Sequence, residues 1–354
     1  MNTQNNRLDF TGTDLFIGID THKKSWVLTI RTKEIALNTF SMNPSPKLLA
    51  QHLNKNYPNA RYFSVYEAGF CGFWIHRELI QLGIKNMVTN PADVPTKNKE
   101  RRRKTDKVDS RKLARELSKN NLDAIYIPTK EQQALKALAR RKFQIIKRKT
   151  QIKNRIKQFL HNRGIAIPKN IDGPYWSKNF ILWLNAIQFE QQYDKYYLDS
   201  LLIDLDNAEV QMKQIKEQIK SLAKNNDTIK YLATVKGIGL MTAFTFYAEI
   251  MDMKRFKNLD DLAGFLGLVP DCNSTSDNQV DTGITKRYQK YLRYLLIEAA
   301  WIAIRKDPAL TLAFSKLAKR KNKQKAIIKI TKKLVNRMRY VWLNQTQYVP
   351  AVVQ

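Results

Sequence analysis

Two aspartates, Asp106 and Asp109, stand three residues apart in the stretch KTDKVDSRKL, residues 104–113, inside a run otherwise crowded with lysine and arginine. On a helix that spacing puts both carboxylates on one face. Like charges on one face repel unless a cation lies between them. Neighbouring lysines would serve, and so would a divalent metal ion. Two further acids close apolar stretches: Asp20 ends FIGID, and Glu67 ends SVYE. Several carboxylates are what two magnesium ions about 4 Å apart require, and such a pair activates an attacking oxygen and stabilises a departing one in phosphoryl transfer. Magnesium, with manganese as its substitute, prefers oxygen ligands. That fits a chain whose four histidines (22, 52, 76 and 161) and two cysteines (Cys71 and Cys272) show no zinc-ligand spacing. The basic run Arg101, Arg102, Arg103 and Lys104 would hold a phosphate-bearing strand against the acids.

The charge balance names the partner class. Of 354 residues, 62 are Lys or Arg and 31 Asp or Glu, for a formal net charge of +31 spread along the whole chain. Such self-repulsion opposes compaction unless a polyanion neutralises it. Nucleic acid does so, because each phosphate contact releases condensed counterions. An anionic membrane surface is the competing partner, but no amphipathic anchor, lipidation signal or apolar span supports it. The N-terminus lacks a signal-peptide core, so a cytoplasmic protein at the nucleoid is expected, with no membrane partner.

The elements that must position these acids read as follows. LFIGID, SWVLTIR and EIALNTFS, within residues 14–41, have strand patterns with a tight connection THKK between the first two. PSPKLLAQHLNKNY reads as a helix, RYFSVYEAGF as a strand, GFWIHRELIQLG as a helix, KNMVTN as a strand, 107–119 as a helix and AIYIP as a last short strand. Phe73 and Trp74 are expected in the core. Three antiparallel strands followed by alternating helices and strands is the order of an α/β RNase H-like domain, here residues 1–127. Strand ends in such a sheet converge on one edge, and a helix laid across it adds its carboxylates. His22 and Lys23, beside Asp20, either contact a scissile phosphate or shape the turn.

From 128 to 225 the character changes to long helical runs, with basic residues between apolar ones and, from Glu131 onward, no glycine or proline until Gly164. A long antiparallel hairpin, a coiled-coil arm, is expected, with a plain helical bundle as the alternative. Residues 226–354 read as a mostly helical domain. Helix, Gly237-Ile238-Gly239, helix resembles a helix-hairpin-helix, whose backbone amides approach a phosphate. Lys236 beside it either binds phosphate or is merely exposed, and an ordinary glycine turn is the other reading. A polar loop, DCNSTSDNQVDTGITK, and a basic C-terminal helix follow.

Here the residues take on a family likeness. FIGIDTHKKSW, YEAGFCGFW, NPADVP and KTDKVDSRKLAREL, with VKGIG, FLGLVP, GITKR and KYLRYLLIEAAW downstream, resemble the DEDD transposases of insertion sequences. That family includes Piv-type DNA invertases and bridge-RNA-guided recombinases, and the likeness covers nearly the whole chain. It implies a RuvC-like N-terminal domain whose Asp20, Glu67, Asp106 and Asp109 bind magnesium, about two ions per site. It implies a catalytic serine after GLVP that attacks DNA: Ser274 first, Ser276 second. It also implies contacts to nucleic acid from Lys286 and Arg287, double-stranded DNA as donor and target, a guide or bridge RNA, and a bacterial homo-oligomer, dimer or tetramer. Where the family commonly has Ser-Ser-Gly or Ser-Thr-Gly, this chain has Ser274-Thr275-Ser276, and Tyr288-Gln289 replaces the usual Gly-Asn. A serine hydroxyl is a poor nucleophile without activation, and no histidine is nearby. Metal-bound carboxylates or Lys286 would supply the help. Two other functions share the sequence features: a Holliday-junction-resolvase-like nuclease using water, and a non-catalytic nucleic-acid binder.

Overall fold

A computed structural model describes residues 9–97, 105–168, 171, 176–275, 278–284, 289–320 and 322–350, with the backbone alone over 270–284. The chain divides into two compact units, Met1–Ile127 and Pro128–Gln354.

The first unit is built on a five-stranded sheet in the order β3-β2-β1-β4-β5. Its strands are β1 Asp14–Thr21, β2 Trp26–Arg31, β3 Ala36–Met42, β4 Arg61–Glu67 and β5 Lys85–Thr89. β1 pairs antiparallel with β2 and parallel with β4, so it lies in the middle. Side chains alternate across a strand. Leu15, Ile17 and Ile19 therefore share one face, where they pack with Leu49 and Leu53 of α1 (Pro46–Asn56) and Ile75 and Leu79 of α2 (Trp74–Gln81). The other face carries Phe16, Gly18 and Asp20, and α3 (Asp106–Ser118) lies across it. Leu113 of α3 joins Val65 of β4 in a smaller core on that side. The arrangement matches the expected order and is consistent with an RNase H-like fold.

Gly18 sets how closely α3 approaches. A Cβ built there would fall 2.1 Å from the Ser110 carbonyl oxygen and 2.5 Å from the Ala114 nitrogen, both backbone atoms. The Ser110 and Thr29 hydroxyls, 2.9 Å apart and buried, fasten the same helix to β2.

In the second unit, α4 (Lys130–Asn162) and α6 (Gln192–Lys224) are 33 residues each, joined through α5 (Lys178–Ala186). Arg163 meets Asp194, Arg148 meets Asp204, and Arg141 meets Gln211, so the two long helices run antiparallel. Their distal halves share a core of Ile145, Ile152 and Ile156 with Leu198, Leu201 and Leu205. Their other ends, at Ala139, Ile219 and Ala223, belong to the large core of the helices that follow. Those helices are α7 Asp227–Thr234, α8 Leu240–Ile250, α9 Leu259–Leu266, α10 Lys290–Ala303, α11 Pro308–Ala318 and α12 Lys323–Asn344. The basic helix α12 turns its apolar face, including Ile330, Leu334 and Met338, into that core. Glu249 of α8, 3% exposed, is fixed to α4 by Arg140 through bonds of 2.8 and 3.2 Å.

Three expectations are corrected. AIYIP is not a strand: a single bridge joins Ala124 to Thr89, the last residue of β5, and only Ile125 and Ile127 pack on the core. The polar segment after Val269 is not a loop but a hairpin, β6 Pro270–Thr275 with β7 Asn278–Ile284. Trp74 is 48% exposed, because α2 turns Ile75 and Leu79 inward and leaves its first residue at the surface.

Gly18→Ala forces backbone against backbone and is expected to destabilise the first unit by roughly 3 kcal/mol. Gly69→Ala, with no atom nearer than 4.0 Å to the added carbon, is expected to be near neutral. Hydrogen exchange of the β1 amides in both variants checks the contrast.

Candidate active site

The alternation that buries Ile17 and Ile19 places Asp20 on the opposite face with Gly18. β4 does the same, since Val65 faces α3 and Glu67, two residues on, shares its side. β1 and β4 are parallel and in register at Ile19 and Tyr66, so both acids leave the sheet at the same edge. Above them α3 begins. Thr105 caps it, its hydroxyl accepting from the Val108 amide at 3.3 Å. Asp106 and Asp109 fill its first turn, where the helix dipole favours negative charge. Tyr66 donates to the Gly72 carbonyl at 2.8 Å and ties down the turn that follows Glu67.

Two bases hold the acids in two pairs. The His22 Nε2 lies 3.4 Å from Asp20 Oδ2 and 3.6 Å from Asp106 Oδ1. Lys112 Nζ donates to Asp109 Oδ1 at 3.1 Å and lies 3.4 Å from Glu67 Oε1. The Lys112 side chain is 9% exposed, whereas that of Asp106 is 59% exposed and opens the site to solvent.

The electrostatics join the pairs into one cluster. Burial raises the Asp20 pKa above the ordinary carboxylate value. His22 pulls it down, and the charges of Asp106, Asp109 and Glu67 push it up again. Burial works against the charge on Lys112, but the bond to Asp109 and the charges of Glu67 and Asp109 outweigh it, and its pKa is raised. Asp20 thus carries an excess of negative surroundings that a cation would relieve. Ligand atoms of Asp20, His22 and Asp106 lie within 4.8 Å of one another, a spacing that suits a divalent ion.

All four acids expected from the sequence are brought together. Lys112 is an addition, and His22, read from the sequence as either a phosphate contact or a turn residue, joins the acids. The signal for each was spacing: His22 follows Asp20 by two residues, just past the end of β1, and Lys112 continues the Asp106, Asp109 row by three. Arg101, Arg102, Arg103 and Lys104 lie outside the described residues, as do Ser276, Lys286 and Arg287. Ser274 lies in β6 opposite Gln279 of β7. Lys236 and Gly239 are exposed in the turn between α7 and α8. Gly237 has a left-handed φ of 93°, and a Cβ there would lie 2.6 Å from the Ala299 carbonyl oxygen, so close packing on α10 requires glycine at that position.

Comparison with known proteins fits this geometry. The DEDD transposase model of the IS110 group matches residues 17–163, a span that contains all four acids. A second model, described as "Transposase IS116/IS110/IS902 family", matches residues 229–315, which contain the glycine turn and Ser274. The chain belongs to the DEDD insertion-sequence transposases. Its enzyme class is DNA transposase. The transposase is 27% identical to the transposase for insertion sequence element IS1111A of Coxiella burnetii, over 75% of this chain and 73% of that protein. It is 26% identical to the protein y4rJ of Sinorhizobium fredii, over 91% and 90% of the two chains. It is 28% identical to the transposase for insertion sequence element IS1328 of Yersinia enterocolitica, over 63% and 65%.

Charge substitutions in the cluster are expected to act in opposite directions in metal-free buffer. Asp20→Asn removes a charge held among like charges and raises the melting temperature of the transposase. Lys112→Met removes the cation shared by Glu67 and Asp109 and costs roughly 2 kcal/mol. The folded chain binds the Asp20 proton more tightly than the unfolded chain does. The gain from Asp20→Asn is therefore present at neutral pH and fades as pH falls through the raised pKa to the ordinary value of about 3.9. Calorimetry in EDTA over that range tests both signs, and added magnesium should then raise the wild-type transition more than that of Asp20→Asn.

Proposed function

We propose that the chain cuts and rejoins double-stranded DNA, donor and target, using magnesium held by Asp20, Glu67, Asp106 and Asp109 and a serine nucleophile, Ser274. The observation that carries the reading is the convergence of four carboxylates from two strand ends and one helix start on a single edge of the first unit. Magnesium, when bound there, supplies charge stabilisation for a phosphoryl group in transfer. The protein's own part is to hold the carboxylates in position through Gly18, His22 and Lys112.

In the covalent step the Ser274 oxygen bonds to phosphorus as the bond from phosphorus to one deoxyribose oxygen breaks. The serine proton passes to a general base, and the departing oxygen takes up a proton and leaves as a hydroxyl end. A hydroxyl end from the second duplex then displaces serine, so the number of phosphodiester bonds is unchanged. Arg101, Arg102, Arg103, Lys104, Lys286 and Arg287 grip the strand. Lys236 and the turn amide at Gly239 contact a phosphate, with Gly237 shaping that turn. The reading extends the 1–127, 128–225 and 226–354 division to function: acids, a coiled-coil arm that joins subunits into a dimer or tetramer, and a serine domain. A structured RNA from the same element guides target choice, in the bacterial cytoplasm at the nucleoid. Among the described residues no helix is long and apolar enough to cross a membrane.

Ser274→Ala is expected to abolish the covalent protein–DNA adduct and to lower strand exchange by roughly 10³-fold or more, with DNA binding kept. Denaturing gels of protein trapped on nicked DNA read the adduct. A variant that still cleaves at the wild-type rate would identify a resolvase-like hydrolase using water.

A further inference from the structure

The α4–α6 seam contains residues that its own geometry disfavours. On α6, Leu198, Leu201, Leu205, Ala208, Met212, Ile215 and Ile219 recur at alternating steps of three and four, the spacing of an interhelical seam. On α4 the matching row passes through Lys142, Ile145, Lys149, Ile152 and Ile156. Two of these positions are lysine, where an apolar residue would pack. Lys142 is 6% exposed.

These lysines line a cavity of about 270 Å³ with Lys153, Lys216 and Met212. Lys149 has a partner in Glu209 at 3.0 Å, and Lys153 stands over the Trp176 ring at 4.9 Å. Among the described residues, Lys142 and Lys216 have no hydrogen-bond or ion-pair partner. Burial and the charge of Lys216 both hold the Lys142 pKa below the usual lysine value. A mostly buried lysine that faces another ammonium rather than an anion is held at a cost. Four lysines line the cavity and no carboxylate does, since Glu209 reaches only Lys149 from outside the lining, and a surplus of positive charge surrounds one small volume.

We propose that this cavity is a binding site for the phosphodiester backbone of a nucleic acid, with Lys142 and Lys216 as the groups that meet the phosphate. A phosphate supplies what the cavity lacks: an anion small enough to enter between two helices and able to accept from several ammonium groups. Lys149 and Lys153 frame the opening. The inference uses the chain's membership in a nucleic-acid-processing family, and it is independent of the serine, of the metal and of any guide.

The test uses the full chain and two probes, a duplex DNA of arbitrary sequence and a folded RNA of similar length. Fluorescence anisotropy gives affinity across a series of potassium chloride concentrations for wild type, Lys142→Met, Lys216→Met and Lys142→Arg. Each Met variant is expected to bind about fivefold more weakly and to flatten the log–log salt slope by about one unit, with Lys142→Arg near wild type. Loss on the DNA probe assigns the site to DNA, and loss on the RNA probe assigns it to RNA. Lys216 is at the surface and gives the same readout if Lys142→Met disturbs the helices. Unchanged affinity and slope on both probes for both Met variants would overturn the proposal. Lys142 would then be a register-fixing residue of the helix pair, and Lys142→Met would simply raise the melting temperature.

Discussion

The missing side chain at Gly18 is the constraint on which the acidic site depends. β1 is the central strand, and only an atom the size of hydrogen lets the α3 backbone settle on it, with the Ser110 carbonyl oxygen 2.1 Å from where a Cβ would be. That contact fixes where α3 starts relative to the ends of β1 and β4. A bulkier residue would lift the helix, and the first-turn acids would rise away from Asp20. Packing at one position thus sets charge geometry two residues along the strand. The Thr29–Ser110 contact then prevents the helix from sliding along the groove it occupies.

Once the acids are together, repulsion must be contained. The chain does this with two bases of different kinds. Lys112 comes from beneath and is nearly enclosed, so it is a fixed part of the structure. His22 is half exposed and bridges the solvent-facing pair. Neutralisation is incomplete on the Asp20 side, which is where burial and three like charges still act. A site finished by a mobile cation needs this imbalance, because a fully compensated cluster would have no electrostatic reason to take up an ion.

Much of this was legible in the residues. Alternation in LFIGID and SWVLTIR, the proline start of α1, and the Thr105 cap before Asp106 each specify a local structure that tertiary packing then uses. The four acids could be chosen because each closes a strand or opens a helix. What escaped was whatever depended on a neighbour distant in sequence. AIYIP has strand composition but meets β5 at its final residue, so composition could not produce a ladder. Trp74 is large and apolar, but its place at the first turn of α2 leaves it at the surface. The serine segment is polar throughout, and its pairing as a hairpin comes from backbone register rather than from apolar alternation. Lys112 looked like one more base in a basic run. Only its place beneath two acids, reached through the docking of α3, distinguishes it from Lys107 and Arg111.

A common thread runs through the positions that matter. Glycine is a poor strand residue, aspartate a poor strand end beside another acid, and lysine a poor occupant of a helix seam. Each is tolerated where the surrounding structure over-determines the fold: a five-stranded sheet for Gly18 and Asp20, two 33-residue helices for Lys142. Long helices supply that surplus, because one unfavourable position is diluted among many favourable ones along the same seam. The short first-unit sheet has no such reserve, and it compensates with an apolar core on each face of the sheet. Local rules are therefore broken where neighbouring packing can absorb the cost, and a residue that breaks its element's rule without a compensating partner in the chain marks where a partner from outside belongs.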